Sequence, residues 1–320
     1  MTSSDRQLRR GLVIGCGGTL GAAWTVAALA SVRDALDWDP REAEVLVGTS
    51  AGAELVTMLG SGVGVDELLA MQLGEQVTDP ALRTHLADAP GRFPPLPRFR
   101  LGSPRLARAG LRREVAPVTA MSGLLPPGGG DAGWLHRLAL GMAPGRMWVS
   151  HPATWLVAMD YDSGERVAFG SPGAPEATLS QALRASWAIP GWFPPVRVGD
   201  RRFVDGGAAS TASADLVASL QLDELVVLAP MASTGRVPGR GAARAERLVL
   251  RGWMSAGLDA EVAAVEAAGT RVIRLDATAE DLAVMGPNFM DDRRRLATLE
   301  SSLRTTRAAL AHQLANGDVR

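Results

Sequence analysis

The 320-residue chain contains no lysine; all 33 of its basic residues are arginine. Without lysine there is no Gly-Lys-Ser/Thr phosphate loop, which excludes the P-loop nucleotide-binding class. A single cysteine, Cys16, excludes an internal disulfide and fits a reducing, cytoplasmic compartment. There is no cluster of cysteine and histidine and no acidic cluster, so neither a zinc site nor a calcium loop is expected, and no metal or cofactor. The formal net charge of −1 gives no global attraction to nucleic acid. No run of about 18 apolar residues free of glycine and charge occurs, so no transmembrane span is expected. The N-terminus imitates a signal peptide, but Leu12–Ile14 is its only unbroken apolar run before Cys16, too short for an h-region, and Gly11, Gly15, Gly17, Gly18 and Gly21 would weaken a helix there.

What is present is a large apolar fraction, 47% of residues, enough for a large core in one big domain or two small ones, and the chain reads as a single domain over residues 1–320. Apolar β-type runs occur at Leu12–Ile14, Val45–Val47, Trp155–Met159, Arg166–Phe169, Phe203–Val204, Leu225–Leu228 and Val272–Leu275. Helical patterns at Gly21–Leu36, Ala51–Leu59, Asp66–Leu73, Leu179–Trp187 and Gly257–Ala268 lie between them. This alternation predicts a three-layer α/β/α fold around a mainly parallel sheet covered on both faces. The stretch 91–147, rich in Pro, Gly and Arg, reads as an insertion on that body, with a short helix over 103–117 capped by Ser103 and started by Pro104. Gly91 to Arg113 holds seven arginines and no acid, which reads either as a solvated basic face or as a peripheral contact with anionic lipid headgroups. A C-terminal helix is expected over 291–315, with Leu296, Leu299, Leu303, Leu310 and Leu314 at helical spacing and Gly317 beyond its end.

Three motifs carry chemistry. In "VLVGTSAGA", Ser50 stands between Gly48 and Gly52 where a strand runs into a helix, the context of either a nucleophile elbow or a helix N-cap. "VIGCGGTLG" is strand, glycine loop and helix. A dinucleotide fingerprint would need glycine at position 20, which is Leu20, so that reading fails. What stays open is an oxyanion loop formed by the N–H groups of Gly17, Gly18 and Thr19 at a helix N-terminus, or a tight structural turn. Asp205, followed by Gly206 and Gly207 at a strand end, is either a cleft-facing carboxylate or a plain Asp-Gly turn.

Together and in this order, the three motifs resemble the patatin-like phospholipase family. "RASWAIPGWFPPV" (184–196) is similar to the family segment before its aspartate, "AMDYDSGERVAF" (158–169) looks like the family's hairpin, and the resemblance covers roughly Gly11 to Ala209. It implies a patatin-like fold and a Ser–Asp dyad without histidine. Ser50 would be the nucleophile, Asp205 the general base, and Gly17, Gly18 and Thr19 the oxyanion donors, acting on a lipid or other acyl ester through an acyl-enzyme. A free aspartate is a weak base, so burial should raise its affinity for the proton, in a site shielded from water. Two departures stand out. Leu20 replaces the family's usual Arg or Lys, and Cys16 replaces the more usual Gly.

Trp187, Ile189, Trp192 and Phe193, with Pro190, form an apolar cluster just ahead of Asp205 and read either as core or as an acyl-chain wall. Two rival functions remain. One is a lipid-binding or regulatory protein with the same fold and little turnover. The other is a Ser-His-Asp esterase, for which His312 alone follows Asp205; it sits opposite the leucine stripe of its helix.

Overall fold

Eight strands build one sheet in the computed structural model, which describes residues 8–85, 87, 88, 90–96, 101–233, 241, 244 and 246–316. They are β1 (Arg10–Ile14), β2 (Leu46–Thr49), β3 (Thr154–Asp160), β4 (Arg166–Phe169), β5 (Val196–Val198), β6 (Arg201–Asp205), β7 (Glu224–Ala229) and β8 (Arg271–Asp276). The β3-β2-β1-β7-β8 part is parallel, and β4, β5 and β6 extend it antiparallel. Every residue of β1, β2, β3 and β7 is buried, which is why their middles are apolar runs with no alternation, the polar Arg10, Thr49, Thr154, Asp160 and Glu224 standing only at strand ends.

Alternate side chains feed two cores. Leu12, Ile14, Leu46 and Leu156 point to one face; Val13, Val47, Val157 and Val227 point to the other. The first face is covered by α1 (Gly18–Leu36), α2 (Ala51–Gly60) and α3 (Val65–Leu73), and by the C-terminal helix. The short α4 (Pro80–His85) follows α3. The region 91–147 holds α5 (Pro104–Leu111), α6 (Pro117–Ser122) and α7 (Gly133–Met142), and α8 (Leu179–Ser186) leads into the site. The second face is covered by α9 (Gly252–Ala267), through Leu258 and Val265. After α10 (Ala279–Met285), α11 (Arg295–Ala315) lies against α1. Leu299 and Leu310 are buried, and Ser302 Oγ donates to the Trp24 carbonyl at 2.7 Å. The expected leucine stripe begins one turn late, because Leu296 is 46% exposed; Gly317 lies outside the described residues. No described helix is long and apolar enough to cross a membrane.

All seven expected strands are present. The short β5 was not expected; nor were α4, α6, α7 and α10. Ser103 caps α5 by accepting from the Leu106 N–H, but the helix ends at Leu111, short of the expected 117, and α9 starts at Gly252 where Gly257 was expected.

The register around β3 places the site. β2 pairs with β3 from Thr154 to Val157, and β4 pairs from Leu156 to Met159, so these two occupy opposite edges. β6 pairs with Ala158 to Asp160, overlapping β4, and so shares the β2 edge. Running toward each other along that edge, β2 ends at Thr49 opposite Val157 and β6 ends at Asp205 opposite Ala158. The residues after β2 and at the end of β6 therefore meet end to end.

Candidate active site

Ser50 occupies the turn between β2 and α2 with φ 57° and ψ −121°, a conformation that a residue with a side chain holds only when its surroundings enforce it. Its hydroxyl does not cap α2, which removes the N-cap reading. The enforcement is visible. The Ser50 N–H donates to Ser186 Oγ at 2.8 Å, and the Ser186 hydroxyl donates to the Val157 carbonyl at 2.6 Å, tying the turn to β3. Gly52 packs α2 onto the end of β1, where an added Cβ would stand 2.2 Å from the Ile14 carbonyl oxygen; Gly48 is packed against Gly52 in turn. Ser186 carries no local sequence signal for this role.

Asp205 is 4% exposed and Ser50 2%. The Asp205 N–H donates to the Ala188 carbonyl at 3.0 Å, and its Oδ1 accepts from the Gly207 N–H at 2.7 Å. Burial pushes the carboxyl up from its ordinary 3.8 to about 7, against hydrogen bonds from the Ser50 hydroxyl and the Gly207 N–H that favour the anion. A carboxylate with that proton affinity can take a proton near neutral pH.

The glycine loop leaves β1 pinned on both sides, Gly15 N–H to the Leu228 carbonyl and Cys16 N–H to the Thr211 carbonyl, each at 2.9 Å. Gly18 has φ +57°, and a Cβ there would sit 2.5 Å from the Phe289 ring, so only glycine fits. The Leu20 N–H is used by the Phe289 carbonyl, and Gly21 N–H is the first to bond back along α1, to Gly17. The N–H groups of Gly17, Gly18 and Thr19 precede that first bond, at the positive end of a 19-residue helix. Leu20 itself is fully buried in the core. Cys16 is buried against Gly207, and burial, with the nearby Asp205, holds its thiol well above its ordinary range, so it stays protonated.

These elements open into a pocket of about 400 Å³. Ser50, Asp205, Gly17, Gly18 and Gly207 line its polar end, while Thr19 faces a smaller cavity on the other side of the loop. Apolar walls come from Met121, Leu125, Ile189, Val249, Trp253 and Phe289. Of the expected apolar cluster, only Ile189, with Pro190, lines the pocket. Trp187 is buried edge-on against Trp134 at 5.1 Å, and Phe193 is buried beside Gly130, with Trp192 stacked on it.

No histidine is among the described residues that line the pocket. His312 is exposed on α11, beside Asn316. His85 lies behind the elbow helix, where its Nε2 is 2.7 Å from Glu54 Oε2, both side chains buried. Of the arginines at 91–113, Arg98 and Arg100 lie outside the described residues, Arg92 stands 3.7 Å from Asp291, and Arg105, Arg108, Arg112 and Arg113 are exposed.

Comparison with known proteins adds three findings. The sequence model of the family described as patatin-like phospholipase matches residues 12–218. Among solved structures, VipD from Legionella pneumophila is similar at a TM-score of 0.45 and 13% identity, over 97% of this chain and 69% of that one. No curated protein matches the chain.

Proposed function

The chain belongs to the patatin-like phospholipase family, and from that premise we propose that it is a serine hydrolase cleaving fatty-acyl esters of lipids through a Ser50–Asp205 dyad. The observation that carries this reading is the end-to-end meeting of β2 and β6 on one edge of β3, which sets the Ser50 hydroxyl against a buried, proton-seeking Asp205. Ser50 Oγ attacks the ester carbonyl while Asp205 takes its proton. The oxyanion is held by the N–H groups of Gly17 and Gly18, the members of the expected Gly17–Thr19 donor set that line the pocket, with the α1 N-terminus adding its partial positive charge. Asp205 returns the proton to the departing alcohol, then deprotonates the water that attacks the acyl-enzyme and restores Ser50. The apolar walls take the acyl chain, and Leu20 is outside this chemistry because the oxyanion donors are backbone groups. Region 91–147, as an insertion on a single domain, supplies Met121 and Leu125 to those walls and brings the enzyme to its lipid at a membrane surface.

The test is labelling with a fluorophosphonate, followed by intact-mass and peptide mapping, on wild type and Asp205→Asn. Stoichiometric labelling at Ser50 that collapses in the variant supports the dyad. Folded wild type that takes no label is instead a lipid-binding protein without turnover. His312→Ala is expected to keep full activity, and its inactivity would restore the histidine triad.

A further inference from the structure

Resting on the acyl-hydrolase reading, we propose that the rim of the pocket is a docking face for an anionic lipid bilayer, formed by two apolar lips and the arginines of α5 and its C-terminal end. Met121 and Val249 line the pocket and yet are 63% and 65% exposed, so they stand at its mouth. Met121 belongs to a lip that continues through exposed Leu124 and Leu125 after α6. Val249 belongs to the facing lip, a π-helical turn at Glu246–Arg251 that also exposes Leu248. Large apolar side chains gathered in water around an apolar cavity mark an interaction surface.

Charge selects the partner. α5 packs directly on α6, with Gly110 against Ala120 and Gly123 against Leu106, so it stands one helix away from the first lip. Arg105, Arg108 and Arg112 recur at helical spacing and are exposed with Arg113. Glu114, 4.0 Å from Arg112, is the only acid between residues 101 and 125, so four arginines less one glutamate give this hairpin +3 in a chain of net charge −1. Apolar lips flanked by cations match a layer with anionic headgroups over acyl chains. Seated this way, the mouth opens into the acyl layer, and a chain enters the pocket without crossing water.

The test uses Ser50→Ala protein, so that binding is read without turnover, in cosedimentation with phosphatidylcholine vesicles with and without phosphatidylglycerol. Association is expected with the anionic vesicles, weakened by added salt. Arg108→Ala/Arg112→Ala should weaken it roughly thirtyfold, from the contribution of each arginine near such a surface. Leu124→Glu/Leu248→Glu should weaken it at least about tenfold. None of these four residues lines the pocket, so in the Ser50 background both double variants should hydrolyse a water-soluble short-chain ester at the wild-type rate, which also shows that they fold. No association with anionic vesicles at low salt overturns the proposal, as does association that both double variants leave unchanged. A dimer that Leu124→Glu/Leu248→Glu converts to monomer, with vesicle binding intact, would assign the lips to a second copy of the chain and also overturn it. Failure of the hydrolase reading is recognised separately, by absent labelling of Ser50 in protein that still binds vesicles.

Discussion

Replacing Asp205 with asparagine should abolish turnover and, at alkaline pH, make the protein more stable. The folded protein holds the Asp205 proton up to about pH 7, whereas the ordinary carboxyl releases it at 3.8. Unfolding between those values therefore releases a proton, and this residue's contribution to stability falls as pH rises, by up to about 1.36 kcal/mol per pH unit. Across the whole window the loss is roughly 4 kcal/mol, the cost of ionising a carboxyl held away from water. The substituted asparagine has no proton to lose. Urea unfolding of both proteins at a series of pH values should show the variant's advantage growing by roughly 4 kcal/mol from about pH 4 to about pH 8. Taking the difference between the proteins cancels Glu54 and Glu261, whose carboxyls burial also pushes up. The wild-type kcat/KM should rise through the same range, because the base must be ionised to act. A difference that stays flat with pH, joined to a rate profile that rises in the ordinary carboxylate range, would refute the view of Asp205 as a carboxylate poised by burial.

Three further substitutions probe its supports. Ser186→Ala leaves the Ser50 N–H and the Val157 carbonyl buried without their partner; stability should drop by roughly 1–3 kcal/mol and kcat by tenfold or more, with KM little changed, in steady-state kinetics and urea melts. Gly18→Ala drives a methyl into the Phe289 ring at a positive φ, so fluorophosphonate labelling should slow by roughly a hundredfold or more while circular dichroism remains that of a folded protein. His85→Ala strands Glu54, costing roughly 3–5 kcal/mol while that carboxyl is charged. Burial pushes Glu54 up, so it goes neutral as pH falls, and the penalty measured by urea unfolding should shrink toward acid pH.

The sheet was legible because its central strands are buried on both sides; Leu12–Ile14 and Leu225–Leu228 had to be apolar throughout. The three motifs were legible because their glycines answer local steric demands, as at Gly18 and Gly52. What escaped depends on register or on distant partners. Nothing near Asp205 states that β6 shares an edge of β3 with β2, and the hydroxyl that holds the elbow lies 136 residues further along the chain. β5 escaped because three residues, one of them the exposed Arg197, make too short a pattern. Trp187, Trp192 and Phe193 read as one cluster with Ile189, but the end of α8 and the packing of the Gly128–Gly130 loop bury Trp187 and Phe193 and leave Trp192 half-buried against Phe193. The wall that took their place, Val249, Trp253 and Phe289 among it, lies where no motif had drawn attention.

That Ser50 and Asp205 hang from one edge of a single strand has a dynamic corollary. Twisting or bending of the sheet carries both groups together, because neighbouring residues of β3 are about 3.3 Å apart and move as one piece of backbone. The pocket walls hang from other parts of the chain: Met121 from α6, Val249 from the π-helical turn that continues into α9, and Trp253 from α9 itself, where it packs beside Leu250 and Phe289. Heating should therefore change the shape of the pocket before it loosens the pairing of Ser50 with Asp205.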